Sequence, residues 1–367
     1  MYDYIIVGGG LYGATLARVL RERGFRCLVL ERRELVGGNI RDERREGINV
    51  HIYGAHIFHT DNEEVWRFVN RFAEFNEYVH RVRTRYEGKL YDMPINMSTF
   101  RDVFGIKSGA EIDDVLADER RREYYDVPRN LEEKGVNLIG RTLFDMLIKG
   151  YTEKQWGRKA SELPASIIER SPVRRNDDDR YFNDKYQGVP KEGYSKMIER
   201  MLEGTEVMTG VDFLKDRKQW LRKGRHIVYT GMVDELMDYR IGELPYRSLR
   251  FETETVASPD YQGMAVVNEA EARVPYTRTI EHKHFGGDAP EVPVTIITRE
   301  YPQTWTRERE AYYPVRDKGS EEMYNRYVEM ARAEYPSITF GGRLGLFRYL
   351  DMDDTIAEAM ARMPDNN

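Results

Sequence analysis

The sequence contains one cysteine, Cys27, and no long apolar run. A single thiol cannot form an internal disulfide, and it excludes a zinc site built from several cysteines. No stretch approaches the roughly 18 consecutive apolar residues that a membrane-spanning helix needs, so we expect no stable membrane insertion. Positive charge is not in excess either, because the formal net charge is −6, and a nucleic-acid partner is therefore not indicated.

What the sequence does have is the composition of a folded protein. The chain has 367 residues, 40% of them hydrophobic and 33% charged, which suggests two or three domains rather than a disordered chain or a single core. Met1 is followed directly by an apolar stretch with no basic region before it, so we expect no signal peptide and a cytoplasmic protein. The 25 tyrosines each combine an apolar face with a polar hydroxyl, which suits sugar and nucleotide pockets as well as cores.

The N-terminal segment, DYIIVGGGLYGATLARVLRERGFRCLVLERRELVGGN, carries the most informative pattern. Residues 4–7 predict a short buried strand, residues 11–23 have the apolar spacing of a helix, and residues 27–30 predict a second strand. An acidic residue, Glu31, ends this second strand. The order of strand, glycine turn, helix, strand and acid is typical of a Rossmann-like dinucleotide-binding unit.

The glycines of the first turn have physical reasons. Of Gly8, Gly10 and Gly13, one makes the tight turn, one lets the backbone approach a pyrophosphate, and one lets helix and strand pack closely. The helix begins at Leu11, and its free N–H groups face the phosphates. Glu31 is placed to accept hydrogen bonds from a ribose. We therefore predict a dinucleotide site; the alternative is a tight turn without a ligand.

A second glycine pair favours FAD over NAD. Gly37 and Gly38 follow Glu31 after five residues, which resembles the E-x5-GG pattern of FAD-binding folds of the amine-oxidase and glutathione-reductase type. A second glycine turn lets the chain cross close to the ribityl–pyrophosphate arm. The basic residues Arg32 and Arg33 either pair with the adenosine phosphates or are solvated surface charges.

Beyond this unit the periodicity changes twice. Residues 97–162 are mostly helical in pattern, and residues 251–299 alternate as strands do. We therefore predict an α/β protein with a Rossmann-like FAD-binding domain, an inserted helical domain and a mainly antiparallel β-sheet domain. The predicted boundaries are 1–76, 188–234 and 312–367 for the FAD-binding domain, 97–164 for the helical domain, and 77–96, 165–187 and 235–311 for the sheet domain.

Two of the seven histidines, His56 and His59, stand three apart in the stretch YGAHIFHT, residues 53–60. They are candidates for metal ligands, for a catalytic base with a helper, for neighbours of the cofactor, or for ordinary core residues. A metal pair at this spacing needs both side chains on one helical face, or a loop, and further ligands, and no third ligand is apparent. The acidic run 177–179 is more typical of a solvated loop than of a metal site, so we predict no metal.

Several further stretches complete a family pattern. They are GAHIFHT (54–60), GYTEKQWG (150–157), RYFNDKYQGVPKEGY (180–194), YRSLRFE (246–252), PYTRTIEHKHF (275–285) and GRLGLFRYLDMDDTIAEAM (342–360). Together with the N-terminal unit they resemble the bacterial UDP-galactopyranose mutases, in order from the first residues almost to the last.

The resemblance implies a function and a mechanism. An enzyme of this family is an isomerase that interconverts UDP-galactopyranose and UDP-galactofuranose. It holds FAD non-covalently and needs it reduced, without net redox change. The flavin N5 attacks the anomeric carbon as UDP leaves, and the N5–sugar adduct recloses through the other ring oxygen before UDP returns. The implied partners are the UDP-galactose substrate and, as is common in the family, a second copy of the chain in a homodimer.

The resemblance also implies site residues. A guanidinium fork suits phosphate oxygens, and Arg170 and Arg278 fall where the family binds the diphosphate. The implied catalytic residues are His56, Arg170, Arg278 and Tyr349. The implied substrate-binding residues are Tyr151, Trp156, Arg170, Tyr181, Phe182, Asn183, Arg247, Asn268, Arg278, Tyr312, Tyr349 and His80. The implied cofactor-binding residues are Gly8, Gly10, Leu11, Gly13, Glu31, Arg32, Gly38, Asn39, His56, His59, Arg343, Leu350, Asp351, Met352 and Thr355.

Three of these positions carry an additional expectation. For Tyr312 the adjacent Tyr313 is the alternative. His80 stands where some family members carry asparagine, and a histidine is expected to add pH dependence near its pKa. The histidine stretch is expected to run against the flavin, with Gly54 letting the backbone approach N5 and His56 beside it.

Two other classes of protein share part of this pattern. A flavin amine oxidase or desaturase has the same N-terminal unit, but it has an apolar substrate tunnel and a net oxidation. A non-catalytic nucleotide-binding protein keeps the glycines but has little use for Arg170 and Arg278 together. Bound flavin, and dependence of activity on a reductant, distinguish the three classes.

Overall fold

The structure is a computed structural model that describes residues 1–168, 173–286 and 291–362. The strands are β1 (Tyr2–Val7), β2 (Cys27–Leu30), β3 (Asp42–Arg45), β4 (Ile48–His51), β5 (Phe58–Thr60), β6 (Val82–Tyr86), β7 (Lys89–Met93), β8 (Tyr186–Gly188), β9 (Glu206–Met208), β10 (Gly224–Tyr229), β11 (Tyr246–Val256), β12 (Val266–Glu269), β13 (Arg278–Glu281), β14 (Thr295–Thr304), β15 (Tyr313–Pro314) and β16 (Ile338–Phe340). The helices are α1 (Leu11–Glu22), α2 (Glu63–Val69), α3 (Met97–Phe104), α4 (Glu111–Arg122), α5 (Leu131–Leu143), α6 (Gly150–Trp156), α7 (Tyr194–Leu202), α8 (Arg217–Lys223), α9 (Val233–Leu236), α10 (Lys318–Glu334), α11 (Gly342–Gly345) and α12 (Met352–Ala361). Within these described ranges no helix combines the length and the apolar character that a membrane span requires.

The first sheet is parallel and contains the N-terminal unit. Its strand order is β16-β10-β1-β2-β9, and every neighbouring pair runs parallel. The predicted strands at 4–7 and 27–30 and the helix between them are confirmed, with α1 ending at Glu22. The order reverses at β1, because β2 lies on one side of it and β10 on the other. In parallel α/β sheets, ligands bind at the carboxyl ends of the strands beside such a reversal.

Both faces of the parallel sheet are buried. Successive side chains of a strand point to opposite faces. In β1, Ile6 belongs to the core that includes Leu16 of α1, whereas Ile5 belongs to the core that includes Trp220 and Tyr327. None of these five side chains is more than 4% exposed. A sheet covered on both faces accounts for the continuous apolar run of β1.

The second sheet is mainly antiparallel, which confirms the prediction. Its strand order is β15-β11-β14-β13-β12-β6-β7. All neighbouring pairs are antiparallel except β12 and β6, which run parallel. Of the predicted alternating segment, residues 251–256, 266–269, 278–281 and 295–299 lie in β11 to β14.

The elements can be compared with the proposed domain boundaries, and β8 and α9 each cross one of them. All five strands of the parallel sheet lie inside the segments proposed for the FAD-binding domain, and α3 to α6 lie inside 97–164. A further exception is β15, which follows residue 312 but pairs with β11 in the seven-stranded sheet. The division into three domains remains our proposal.

The helical segment is interrupted where the sequence has a helical pattern throughout. Gly140 inside α5 has φ 80° and ψ 158°, which breaks the helix. The carboxylate of Glu119 on α4 accepts hydrogen bonds from the backbone N–H and the hydroxyl of Thr142, each at 3.0 Å. These bonds supply partners for polar groups at the break. The chain then enters α6 through a π-helical turn, Phe144–Lys149, and such turns are frequent near functional sites.

The acidic run 177–179 is a network of ion pairs, since each carboxylate has an arginine partner. The pairs are Asp177 with Arg101 at 3.2 Å, Asp178 with Arg180 at 2.8 Å, and Asp179 with Arg81 at 2.8 Å. The positive charge that each carboxylate needs is thus supplied by the chain itself.

His284 connects the end of β13 with the loop after β11. Its Nε2 lies 3.3 Å from Asp260 Oδ1 and 3.3 Å from Glu281 Oε2. Among the described residues, these three form the one group whose ligand atoms lie close enough together for a metal ion. Glu281 also accepts hydrogen bonds from the N–H groups of Tyr261 and Gln262, so we interpret the group as a contact that holds this loop.

This contact predicts a pH dependence of stability. The hydrogen bond to Glu281 raises the pKa of His284, so the folded chain binds this proton more strongly than the unfolded chain. The stabilisation is fully present below the unfolded pKa of about 6.5 and is lost as the pH rises through the folded pKa. In thermal melting, wild type and His284→Gln should therefore differ more at about pH 6 than at about pH 9. An equal difference at both pH values would contradict the ion pairing.

Candidate active site

A cavity of about 470 Å³ lies at the carboxyl end of the parallel sheet. Its wall includes Val7, Leu30 and Tyr229, the last residues of β1, β2 and β10. The predicted cofactor residues that line it are Gly8, Gly10, Leu11, Glu31, Arg32, Gly38, Asn39, His56, Arg343, Met352 and Thr355. Its volume falls in the usual range of small-molecule pockets, roughly 300–1,000 Å³. The predicted dinucleotide residues therefore converge on one cavity.

Glycine is required where the two predicted turns meet. Gly38 has φ +54°, and a Cβ added to it would lie 2.9 Å from the Cα of Gly10. A Cβ on Gly13 would lie 1.9 Å from the carbonyl oxygen of Gly8, so Gly13 serves the packing of α1 on β1. Helix α1 has Gly10 as its N-cap, with no side-chain cap, so no side chain competes with a phosphate at its first turn. These residues fit a dinucleotide.

Glu31 also holds the glycine turn itself. Its Oε2 accepts a hydrogen bond from the N–H of Gly9 at 2.8 Å, and its Oε1 accepts one from the N–H of Arg33 at 2.9 Å. Each carboxylate oxygen keeps acceptor capacity for a ribose hydroxyl. The Arg33 side chain donates to Asn39 Oδ1 at 3.0 Å and to Glu310 Oε1 at 3.3 Å. Arg33 therefore ties one wall of the cavity to the opposite one.

Arg343 connects the cavity with a group of aromatic side chains. It lines the cavity, and its Nη2 donates to the carbonyl oxygen of Leu350 at 2.7 Å. Its guanidinium lies over the rings of Tyr349 and Tyr313, at 5.0 and 5.4 Å from the ring centroids. Leu350 and Asp351, the N-cap of α12, thus support the wall rather than line it.

A row of polar side chains crosses the second sheet. Arg278 is the first residue of β13, and it lies opposite Glu300 of β14 on one side and opposite Asn268 of β12 on the other. Paired residues of neighbouring strands share a face of the sheet. The predicted substrate residues Arg278 and Asn268 are therefore neighbours, and the register adds Glu300, which was not among the predicted residues.

Arg278 is a positive charge held in place. Its Nε lies 3.6 Å from Glu300 Oε1, and within the described residues neither atom has a hydrogen-bond partner. One of its terminal nitrogens donates to the hydroxyl of Tyr151. Burial alone would lower the pKa of Arg278, but Glu300 and the surrounding tyrosines keep that pKa well above its usual value. The ion pair with Glu300 therefore holds the guanidinium in the sheet, next to the hydroxyl of Tyr151.

Tyrosine hydroxyls surround this charge. Burial raises the pKa of Tyr151 to about 12, and it raises the pKa of Tyr313 as well. Tyr181 and Tyr349 also lie within electrostatic reach of Arg278. A fixed guanidinium with neutral hydroxyl donors around it suits the oxygens of a phosphate or diphosphate.

Tyr313, not Tyr312, belongs to this group. Tyr313 stacks on Tyr349, with ring centroids 5.7 Å apart. Tyr312 instead packs against Phe251, with centroids 5.8 Å apart, and lies on the cofactor cavity. The substrate contact expected for Tyr312 is therefore corrected by one residue. Successive side chains of an extended chain point to opposite sides, and the sequence does not show which side faces the site.

Phe182 and His80 connect the tyrosine group with His59. The ring of Phe182 contacts those of His59 and His80, with centroid distances of 3.7 and 5.5 Å. His59 therefore lies with the predicted substrate residues and not on the cofactor cavity. The Nδ1 of His80 lies 3.0 Å from the hydroxyl of Tyr78. Burial lowers the pKa of His80 to about 3, so His80 does not titrate near neutral pH and the pH dependence expected from it is wrong.

The helix that carries Tyr151 is anchored to the loop before Arg278. The ammonium group of Lys154 donates to four backbone carbonyls of this loop. They belong to Glu269, Glu271, Val274 and Tyr276, at 2.7, 3.0, 3.0 and 3.0 Å. Arg247 donates to the carbonyls of Lys154 and Gln155 at 3.3 and 3.0 Å. Arg247 therefore holds the end of α6, in place of the substrate contact expected for it.

The remaining predicted substrate residues have different surroundings. Asn183 accepts a hydrogen bond from the guanidinium of Arg174, which fixes the segment after Phe182. Trp156 is the last residue of α6 and is partly exposed. Arg170 lies outside the described residues.

Glu300 had a signal in the sequence, whereas Lys154 had none. An acidic residue near the end of the apolar stretch VPVTIITREY (292–301) is unusual for a buried strand, and a buried charge needs a partner. Arg278, in a neighbouring predicted strand, is such a partner. Lys154 binds backbone carbonyls, which every sequence has, so its partners cannot be found by residue type.

The fold and the cavity at the strand ends define this chain as a protein with a Rossmann-like dinucleotide-binding domain. A family model for NAD(P)-binding Rossmann-like domains matches residues 6–72. The family model of UDP-galactopyranose mutase matches residues 146–349, which is more than half of the chain. The chain belongs to the UDP-galactopyranose mutase family and is accordingly an isomerase.

Individual relatives agree with this assignment over nearly the whole length. A probable UDP-galactopyranose mutase of Klebsiella pneumoniae is 41% identical, over 98% of this chain and 93% of its own. A dTDP-fucopyranose mutase of Escherichia coli is 37% identical, over 98% of this chain and 97% of its own. A crystal structure of reduced UDP-galactopyranose mutase has a TM-score of 0.74 at 16% identity and covers 98% of this chain and 94% of that one, so the two share a fold.

The contact between the glycine turns predicts the effect of a single methyl group. Gly38→Ala places a Cβ against Gly10 and should remove most of the bound dinucleotide. Gly88→Ala is the matched control, because Gly88 also has a positive φ, +77°, but has open space around its Cβ position. The control should lose only about 1–2 kcal/mol of stability. Dinucleotide content is measured from the absorbance of nucleotide released on denaturation. Equal content in both variants would show that the close approach does not matter for binding.

Proposed function

We propose that this chain interconverts UDP-galactopyranose and UDP-galactofuranose by ring contraction, with bound FAD that is active when reduced and with no net redox change. One observation carries the proposal: Arg343, which lines the cavity that fits a dinucleotide, lies over Tyr313 and Tyr349 of the tyrosine group around the charged Arg278. Membership in the mutase family supports a sugar nucleotide as the substrate.

The lining of the cavity supports FAD as the cofactor. The first glycine turn and the start of α1 would hold the pyrophosphate, Glu31 a ribose hydroxyl, and Arg343 and Met352 the wall on the opposite side. Reduced flavin, when bound there, would supply the nucleophile for the sugar, so no nucleophilic side chain would be needed. The single cysteine agrees with this, because Cys27 is buried in β2 and burial raises its thiol pKa to about 12.

The side chains supply position and charge. Arg278 binds the diphosphate before the glycosidic bond breaks and retains the UDP that leaves, because its charge opposes the negative charge that develops on the leaving group. Tyr151, Tyr313 and Tyr349 donate hydrogen bonds to the phosphate oxygens. Glu300 keeps the guanidinium in register with the sheet. Holding UDP close favours its return to the reclosed sugar.

A second candidate substrate is dTDP-fucopyranose. The relative named for this sugar nucleotide is 37% identical over 98% of this chain. The arginine and tyrosine group recognises a diphosphate, which both substrates have. Recognition of the base and of the sugar substituents therefore decides between the two substrates. The two sugar nucleotides must be compared directly in one assay.

Two further expectations are proposals as well. We propose that the chain forms a homodimer, supported by its likeness to the family, and that it works in the cytoplasm. Sedimentation of the purified protein tests the first.

Turnover of the furanose tests the proposed reaction. With dithionite, purified protein should convert UDP-galactofuranose to the pyranose form. Chromatographic separation of the two sugar nucleotides measures this conversion. The same protein with oxidised flavin is the control and should be nearly inactive. Undiminished turnover with stably oxidised flavin would contradict the proposed flavin mechanism. A clear preference for dTDP-fucofuranose in the same assay would establish the second candidate instead.

Removal of the positive charge tests the diphosphate site. A hydrogen bond to a charged group contributes roughly 1.5–3 kcal/mol, so Arg278→Ala should lower kcat/KM about 10- to 100-fold while the flavin stays bound. Arg250→Ala is the matched control: Arg250 lies in the same sheet, but it is exposed and pairs with Glu252. Full activity of Arg278→Ala would overturn the diphosphate assignment.

A further inference from the structure

Three buried or partly buried histidines, His282, His51 and His56, form a connected group that we call the histidine chain. The N–H of His51 donates to Nδ1 of His282 at 3.2 Å. The N–H of His56 donates to Nδ1 of His51, also at 3.2 Å. Each of the first two imidazoles therefore serves as the acceptor for a backbone N–H of the next member.

These bonds define where each ring carries its proton. A ring nitrogen that accepts a hydrogen bond has no proton, so neutral His282 and His51 carry theirs on Nε2. For His282 this agrees with the hydroxyl oxygen of Thr298, 2.7 Å from Nε2. His56 differs, because its Nδ1 lies 2.8 Å from the carbonyl oxygen of Gly54, which can only accept. His56 therefore carries its proton on Nδ1.

The three rings stay uncharged around neutral pH. Burial lowers the pKa of His51 to about 4 and that of His56 to about 3. Burial also lowers the pKa of His282 well below its usual value. A charged imidazole would donate from both nitrogens, so neutrality is what allows each Nδ1 of His282 and His51 to accept.

The histidine chain links the second sheet with the cofactor cavity. His282 directly follows β13, the strand that begins with Arg278. His56, at the other end, lines the cavity. A second link runs beside it, because Gly54 lies so close to Glu300 that an added Cβ would be 3.1 Å from the carboxylate. Both links connect the sheet of Arg278 with the segment 51–56.

We propose that His282 and His51 are positioning residues that fix the backbone of residues 51–56, so that His56 is held on the cofactor cavity in a set relation to Arg278. Simple filling of the core does not account for the arrangement. A phenylalanine would fill a similar volume, but it would leave the N–H groups of His51 and His56 without these acceptors, which is costly for buried groups. The catalytic consequence rests on the proposed function, whereas the geometry does not.

The protonation pattern of the wild type tests the proposal without any variant. Long-range proton–nitrogen correlation spectra of histidine-labelled holoenzyme at neutral pH report which ring nitrogen is protonated. We expect Nδ1–H for His56 and Nε2–H for His51 and His282. A different tautomer at His51 or His282 would overturn the histidine chain, whether or not the enzyme turns over UDP-galactose.

A variant tests the consequence. His51→Phe keeps the ring that stacks on Phe285 but removes the acceptor, so hydrogen exchange of the His56 amide should become roughly tenfold faster and kcat should fall more than KM changes. His226→Phe is the matched control, since His226 stacks on Tyr4 and is not a member of the histidine chain. If His51→Phe does not fold, His282→Phe and the wild-type spectra decide. A folded variant whose residues 51–56 exchange as slowly as the wild type would refute the proposal.

Discussion

A single positive charge held in the middle of a sheet is the constraint on which the rest of the structure depends. A buried charge is costly unless groups of opposite charge or good acceptors lie beside it. For Arg278 the strand register supplies Glu300, and Tyr151 accepts a hydrogen bond from the guanidinium. Tyr151 is kept in place by Lys154, which ties α6 to the loop before β13. Sheet, helix and loop therefore act as one support for the guanidinium.

The cofactor cavity is built by other elements, and it contacts the elements around Arg278 at few points. Its glycine turns, its strand ends and the start of α1 depend on the parallel sheet alone. Arg343 reaches the tyrosine group from one side, over Tyr313 and Tyr349. On another side, the segment 54–56 approaches Glu300 at Gly54. A reaction between a bound cofactor and a sugar nucleotide needs the cavity and the Arg278 site in a fixed relation. Displacements on the ångström scale matter for such alignment.

What could be predicted from the sequence depended on the range of the interactions. The dinucleotide unit was predicted down to its glycines, because the reason for each glycine lies within a few residues or in one adjacent turn. The choice between Tyr312 and Tyr313 was beyond prediction, because it depends on which side of a two-residue strand faces the site. His80 shows the same limit for electrostatics. Its residue type suggests titration near neutral pH, but its burial decides the pKa.

By itself the sequence determined the fold class, the Rossmann-like unit with its glycine turns and the family, because glycine spacing, apolar periodicity and long motifs are local properties of the chain. Only the tertiary structure decided which side chains surround Arg278, that Arg247 and Lys154 act on backbone carbonyls, and that His56 and His59 belong to different surroundings. Those contacts join residues far apart in the chain, and many of them end on backbone groups, which carry no sequence signal. Their geometry is set by strand register and packing, and these exist only once the chain has folded.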